Sequence, residues 1–357
     1  MPSSTPSRSG HAPRLSIVIP AADVATLEDT LVSVLENRPA DCEIVAVLAV
    51  PYADPWSIGD EVRFVQAPAG ASVVDCVNVG MASSGGEIVH ILRAGWRATD
   101  GWAEAALEQF ADPDVTAVVP LTVAAGDRGR VVAAGVRRTS GGRSVVNAPA
   151  RRDQRIDTFK AASVAQPAAP ALEAGFWRAE AVPASGFSKA CGDRLAAADM
   201  AAVVACMGDA VVVEPACQVV EGPVTKRGSW FTEGLHAERL FWRSLAGEQP
   251  IAALVAHVGE VIRHAVAAAP LGTLAMLAGR LACLLQFGSC LGRARELNAL
   301  QAEAGARRRA AADDTGGQIV RIDAGHVPGR PKRRPAAVAG SVSPAGGGRD
   351  SSLRRSA

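Results

Sequence analysis

Aromatic residues are scarce in this chain. Phe, Trp and Tyr make up 4% of 357 residues, and lysine is rare beside arginine. With Ala, Gly and Arg so abundant, this is a compositional bias rather than a functional signal. Net charge is also nearly absent: a formal +1 excludes a chain built as a whole to bind polyanions, or an acidic solvating chain. The seven cysteines (42, 76, 191, 206, 217, 283 and 290) form no C-x-x-C pair and no Cys/His group at zinc spacing. Such a dispersed, odd set reads as reduced, mostly buried thiols in a cytoplasmic protein. Residues 1–13 are Ser/Pro-rich and lack the apolar stretch of a signal peptide, so they are read as a disordered lead. No G-x-G-x-x-G or Walker loop occurs, and Gly85-Gly86 is too short to cradle a phosphate and reads as a turn. No internal repeat is visible.

What is present is an alternation of short apolar runs with helical patterns. Residues 15–20 (LSIVIP) read as a first strand, and 23–37 as a helix with apolar positions at Val24, Leu27, Leu31, Val34 and Leu35 and Asp23 as its N-cap. Strands follow at 42–50, 62–66, 88–92 and 115–119. Between them lie a weaker helix over 72–84 and one capped by Thr99 that runs to Phe110. This pattern predicts an α/β fold, a twisted, mostly parallel sheet flanked by helices through right-handed crossovers. Ligands of such sheets sit at the carboxyl ends of the strands.

Further on, 131–137 and 144–146 read as β-runs around a Ser140-Gly141-Gly142 turn, followed by a Pro/Ala-rich stretch to about Ala171. A helix over 190–207, a strand over 210–213 and an amphipathic helix over 230–245 come next. Residues 251–300 are Ala/Leu-rich and helical, with Glu260, Arg263 and Arg280 breaking up the apolar runs. The uncharged pieces fall short of the ~18 residues of a membrane span, and these helices read as packed on the domain. From Arg307 the chain is rich in Arg, Gly, Pro and Ser and reads as a disordered tail with basic clusters at 307–309 and 332–334. The expected organisation is a lead (1–13), one large α/β domain (14–246), a C-terminal helical region (247–304) and a basic tail (305–357).

Several segments in order resemble family 2 glycosyltransferases, which have the GT-A type nucleotide-diphospho-sugar transferase fold. Residues 15–20 with Leu27, Leu31, Ser33, Val34 and Leu35 are similar to that family's opening strand and helix. Residues 43–47 look like its second strand. Asn78, Gly80, Gly86 and Glu87 look like its N-x-G…G-E approach to the metal strand. Trp102 and residues 110–115 match the helix and strand entry that follow. Gly186, Phe187, Asp199, Met200, Gly208 and Pro215 match its later region, and 234–239 its G…E-R segment. The likeness covers roughly residues 15–243, and its specificity lies in the order and spacing of the motifs.

The resemblance implies a nucleotide-sugar donor, a divalent cation held by a D-x-D pair to neutralise the diphosphate, and a carboxylate that deprotonates the acceptor hydroxyl. It also implies an Asp after the second strand, against the base of the nucleotide. This sequence departs at each place. Leu48 and Ala49 follow the second strand, Arg93 and Gly95 replace D-x-D, and Ala196-Ala197 stand where Glu-Asp belongs. A hard cation then has no strong oxygen ligands and meets Arg93 instead. The expectation is no metal and no other cofactor, with transfer, where it occurs, metal-independent. The candidate residues are Arg93, as a guanidinium for the diphosphate or as a space-filler paired with Glu87 or Asp100; Asp23 and Asn78, beside the nucleotide or as cap and turn residues; and Asp199, as a displaced catalytic base or a structural carboxylate. His90 reads as a buried histidine and His236 as a surface one. The expected partners are a nucleotide sugar and a glycan or lipid-linked acceptor, or a partner transferase. No specific nucleic acid is among them, and peripheral contact with the inner face of a membrane stays open. The alternative function is a catalytically inactive homologue that binds or scaffolds.

Overall fold

The computed structural model describes residues 14–149, 151, 153–161, 169–207, 210–223, 227–245 and 250–316. The lead at 1–13 and the tail from 317 lie outside them. The chain divides into a unit of Met1–Ala311 and a second of Ala312–Ala357, and the sheet lies in the first.

The first half alternates as its pattern predicts: β1 (Leu15–Ala21), α1 (Leu27–Asn37), β2 (Cys42–Leu48), β3 (Val62–Gln66), α2 (Val73–Ser83), β4 (Ile88–Leu92), the two-residue β5 (Arg97–Ala98), α3 (Trp102–Gln109) and β6 (Val115–Ala124). Then come β7 (Asp127–Ala133), the hairpin of β8 (Val136–Arg138) and β9 (Ser144–Val146), β10 (Ala174–Arg178), α4 (Gly192–Met207), β11 (Ala210–Val220) and α5 (Trp230–Arg243). Three helices close the described residues: α6 (Pro250–Ala268), α7 (Thr273–Leu284) and α8 (Phe287–Gly316). The last continues beyond residue 304, where the tail is expected to begin, because its Ala- and Arg-rich residues are good helix formers.

One sheet runs in the order β3-β2-β1-β4-β10-β6-β11-β5, with β7 paired to β6. The strands β3, β2, β1 and β4 are mutually parallel. β10 is inserted antiparallel between β4 and β6, and β6 and β11 are again parallel to each other. The sheet is thus mostly parallel, as expected, with β10 reversed at its centre and the peripheral β5 and β7 antiparallel to β11 and β6.

Alternation along the strands sorts side chains to two faces. Leu15, Ile17 and Ile19 pack with Leu27, Leu31, Trp102 and Phe176 beneath α1 and α3. Val18, Val45 and Val47 face α2 with Cys76, and Trp177 lies with Val74, Val77, Phe187, Met200 and Val203 between α2 and α4. His90 is fully buried, its ring 3.9 Å from that of Phe176 and 4.5 Å from that of Trp102.

Two local expectations are corrected. The first helix starts at Leu27 with Thr26 in the cap position, and Asp23 closes the preceding loop by accepting from the Ala25 N–H at 3.1 Å. Gly101, at φ +68, caps α3, while the Thr99 hydroxyl donates to the Gln218 carbonyl.

The closing helices divide their roles. α7 packs closely on α5, where Gly234 and Gly279 let the two backbones touch: a Cβ on Gly279 would overlap the Phe231 carbonyl, and one on Gly234 the Met276 carbonyl. α6 is long and apolar enough to cross a membrane by length and composition, although 17% of its window is buried in the fold. The charged residues that argue against a span from sequence, Glu260 and Arg263, are too few to exclude one on that measure.

Candidate functional site

The carboxyl ends of β1, β2 and β4 lie side by side and are tied by backbone bonds. Ala49 N–H donates to the Ala21 carbonyl (3.0 Å), Ala94 N–H to that of Pro20 (3.2 Å), and Arg93 N–H to that of Glu173 (2.8 Å). This is where a parallel α/β sheet places a ligand.

Residues 93–96 make a tight turn directly after β4, closed by Trp96 N–H on the Arg93 carbonyl at 2.9 Å. Thr30 on α1 pins it, its hydroxyl donating to the Trp96 carbonyl (2.8 Å) and accepting from Gly95 N–H (2.7 Å). Gly95 has φ +91, which disfavours any side chain. A Cβ there would lie 2.6 Å from Pro223 Cδ and 2.8 Å from Thr26 Oγ1. The second carboxylate of a D-x-D pair therefore has no room in this backbone.

Arg93 is largely buried. Its Nη1 stands 4.0 Å from Glu173 Oε1, and its partner across the strands is Glu173 rather than Glu87 or Asp100. Glu87 pairs with Arg178. Among the described residues, the charged groups seen to meet at this strand end are the Arg93 guanidinium and the Glu173 carboxylate. That does not fit a divalent cation, which takes several oxygens. Among the described residues no group of three or more His, Cys, Asp or Glu could hold a metal ion.

The other candidates are dispersed. Asp23 is exposed in the loop after β1. Asn78 on α2 clamps the peptide of Phe187, donating to its carbonyl at 2.9 Å and accepting its N–H at 2.8 Å. Both ends of the amide are spent on holding two segments together.

Asp199 is 3% exposed on α4. Arg243 of α5 grips it with two bonds, at 2.9 and 3.0 Å, and Arg293 of α8 stands 3.7 Å away. The buried carboxylate raises the Arg243 pKa despite the desolvation that opposes it. A general base must reach the hydroxyl it deprotonates, and this carboxylate is enclosed and saturated. Its geometry is that of an ion-paired clamp joining α4, α5 and α8.

Two groups have no signal in the sequence. Glu173 precedes β10 and meets Arg93 only because β10 runs antiparallel beside β4. A second buried ionic cluster joins α5, α6 and α7. Glu238 accepts from Arg280 (2.6 Å) and Trp242 (2.8 Å) and meets His257 Nε2 (3.1 Å), while His257 Nδ1 faces the Gly141 carbonyl at 3.0 Å. Burial raises the Glu238 carboxyl pKa, but the bonds and charges of His257 and Arg280 outweigh it and the net shift is downward. These residues lie far apart in the chain, and no local pattern connects them. His236, read as a surface residue, is half-buried against Gly192.

No family model matches the chain, and no curated protein matches it. The chain is similar to several solved structures. GalNAc-T7 with UDP, GalNAc and Mn2+ is 14% identical with a TM-score of 0.49, over 67% of this chain and 51% of that one. The mannosyltransferase PcManGT from Pyrobaculum calidifontis in complex with GDP-Man and Mn2+ is 17% identical with a TM-score of 0.45, over 83% and 88%. TarS from S. aureus is 12% identical with a TM-score of 0.48, over 87% and 94%. The chain spans about half the length of the first of these. Identities this low say nothing of ligands, and scores this low add nothing to the architecture seen directly. By its own strand order and directions, with helices on both faces, the chain has an α/β fold built on a mostly parallel sheet.

Proposed function

We propose that this chain is a family 2-like glycosyltransferase that binds a nucleotide-diphospho-sugar at the carboxyl ends of β1, β2 and β4 without a divalent cation. The observation that supports this reading is the turn after β4, where Arg93 and Gly95 replace the two metal-binding carboxylates in a backbone with no space for the second. A guanidinium is permanently charged and matches a diphosphate with two parallel hydrogen bonds. In the transfer, the acceptor hydroxyl oxygen forms a bond to the anomeric carbon as the bond from that carbon to the diphosphate breaks. Arg93 offsets the charge that builds on the leaving phosphate, and Glu173, 4.0 Å from it, takes the hydroxyl proton. The acceptor is a glycan or a lipid-linked acceptor. The free cysteines support a reducing, cytoplasmic setting.

The burial of Asp199 favours a second reading, a homologue that binds a nucleotide sugar, a glycan or a partner transferase without turnover. Calorimetric titration with UDP-, GDP- and TDP-sugars, with and without manganese, separates the two when paired with a donor-turnover assay. Under the first reading, binding ignores manganese, weakens at least about tenfold in Arg93→Ala (a charge-assisted bond being worth ~1.5–3 kcal/mol), and is accompanied by turnover that Glu173→Gln lowers. Binding without turnover selects the second reading. No binding of any nucleotide sugar under either condition sinks both.

A further inference from the structure

Among the described residues, the large hydrophobic side chains left in solvent concentrate on α6, α7 and the turn between them. Ile251, Val255, Val258, Ile262 and Val266 line the outer side of α6, and Leu274 and Leu281 that of α7. Leu271, at the turn, is 95% exposed. The opposite side of α6 is anchored, with Ala253, His257 and Ala268 buried. An apolar face this large and continuous marks a contact surface.

Two observations name what covers it. The first is its chemistry. The centre of the face is aliphatic Leu, Ile and Val, whereas the cores of protein interfaces are enriched in Tyr, Trp, Phe, Met and Arg. The aromatic residues stand at its margin instead. Trp230 packs against Gly272 beside the turn, and Phe231 is 41% exposed. An apolar centre with Trp at the edge matches hydrocarbon bordered by head groups. The second is charge. On the inner side of α6, between it and α5, α7 and the β8–β9 hairpin, lies a cavity of about 240 Å³ lined by five arginines, four of them ion-paired with Glu233, Glu238 or Glu260; Arg263 stands about 100° around α6 from the stripe. Arg263, Arg227 and His264 border the cavity, with the Arg227 guanidinium 5.6 Å from the Trp230 ring. Burial, then the charges of Arg280 and Arg263, lowers the His264 pKa.

We propose that α6 and α7 lie flat on a bilayer bearing anionic head groups, the Leu/Ile/Val face in the acyl boundary and lipid phosphates at Arg263 and Arg227 on its flank. Spanning is disfavoured, because it would pull His257 from Glu238 and take Glu260 and Arg263 into hydrocarbon. A flat helix keeps those contacts and buries only the stripe.

Vesicle flotation of the full chain tests this, with phosphatidylcholine vesicles with and without about one third phosphatidylglycerol. The expected result is flotation with the anionic vesicles, weaker with neutral ones and reduced by salt. Val258→Glu with Leu274→Glu alters only exposed positions and should lower the affinity on the order of tenfold or more, with an unchanged circular dichroism spectrum. Arg227→Glu, outside the apolar face, should abolish the preference for anionic vesicles. Failure to float with either vesicle overturns the proposal. So does a concentration-dependent dimer in light scattering that Val258→Glu with Leu274→Glu dissolves, since a second copy then covers the face. Neither readout involves nucleotide binding, so the result stands apart from the transferase reading.

Discussion

At the scale of single residues, the contrast between Asp199 and Gly95 separates stability from chemistry. Asp199 neutralises two arginines in a buried site, and removing it leaves both uncompensated. Asp199→Ala should cost about 3–5 kcal/mol, read as a lower denaturant midpoint. The nucleotide affinity of the fraction that stays folded should not change. A variant as stable as the parent but unable to turn over donor would show that Asp199 touches substrate. At the end of β4 the prediction runs the other way. Gly95→Asp, on paper a step toward a metal site, should destabilise the turn and confer no manganese-dependent binding, because φ +91 and the contacts with Pro223 and Thr26 exclude the side chain. His90 was legible as a buried histidine because it interrupts an apolar strand. Glu173 was not legible, since only the reversed strand brings it to Arg93.

At the scale of elements, regular patterns were readable and irregular ones were not. β1 to β4 and α1 to α3 announce themselves by apolar runs and helical spacing. β10 escapes notice: five residues, AGFWR, follow a Pro/Ala-rich stretch and begin with Ala and Gly, poor strand formers. Its membership comes from tertiary packing, which places Phe176 and Trp177 on opposite faces of the sheet, each against its own cluster. The α5–α7 contact is similar. Gly234 and Gly279 look like weak points in two helices, yet they are where the helices meet. Gly279→Ala should therefore lower stability by about 1–3 kcal/mol, although alanine favours an isolated helix. A gain in thermal midpoint would refute the close crossing.

At the scale of the whole molecule, buried histidines set the response to acid. Burial holds the His90 pKa well below its ordinary value of 6.5. The pKa values of His236 and His264 are also lowered, by burial first and by neighbouring arginines second. The unfolded chain binds these protons near pH 6.5 while the folded chain resists them, so stability is full above about 6.5 and falls as the pH drops. The lowered Glu238, Glu260 and Asp75 carboxyls add a further loss below their ordinary range, near 4. Denaturant midpoints at pH 8, 6 and 5 should decline in that order, and His90→Leu should flatten the decline between 6.5 and 5. Equal midpoints from pH 7.5 to 5.5 would contradict this.

The sequence by itself determined the fold class, because hydrophobic periodicity is a local property that any backbone of this pattern must satisfy. It also determined that no Asp or Glu stands at 93, 95, 196 or 197, since a missing carboxylate can be read by counting. The tertiary structure decided what the remaining residues do. Whether Arg93 faces Glu173 or Glu87, whether Asp199 is reachable, and which sides of α6 and α7 are left bare depend on contacts between segments far apart in the chain. Nothing in the neighbouring residues encodes those contacts.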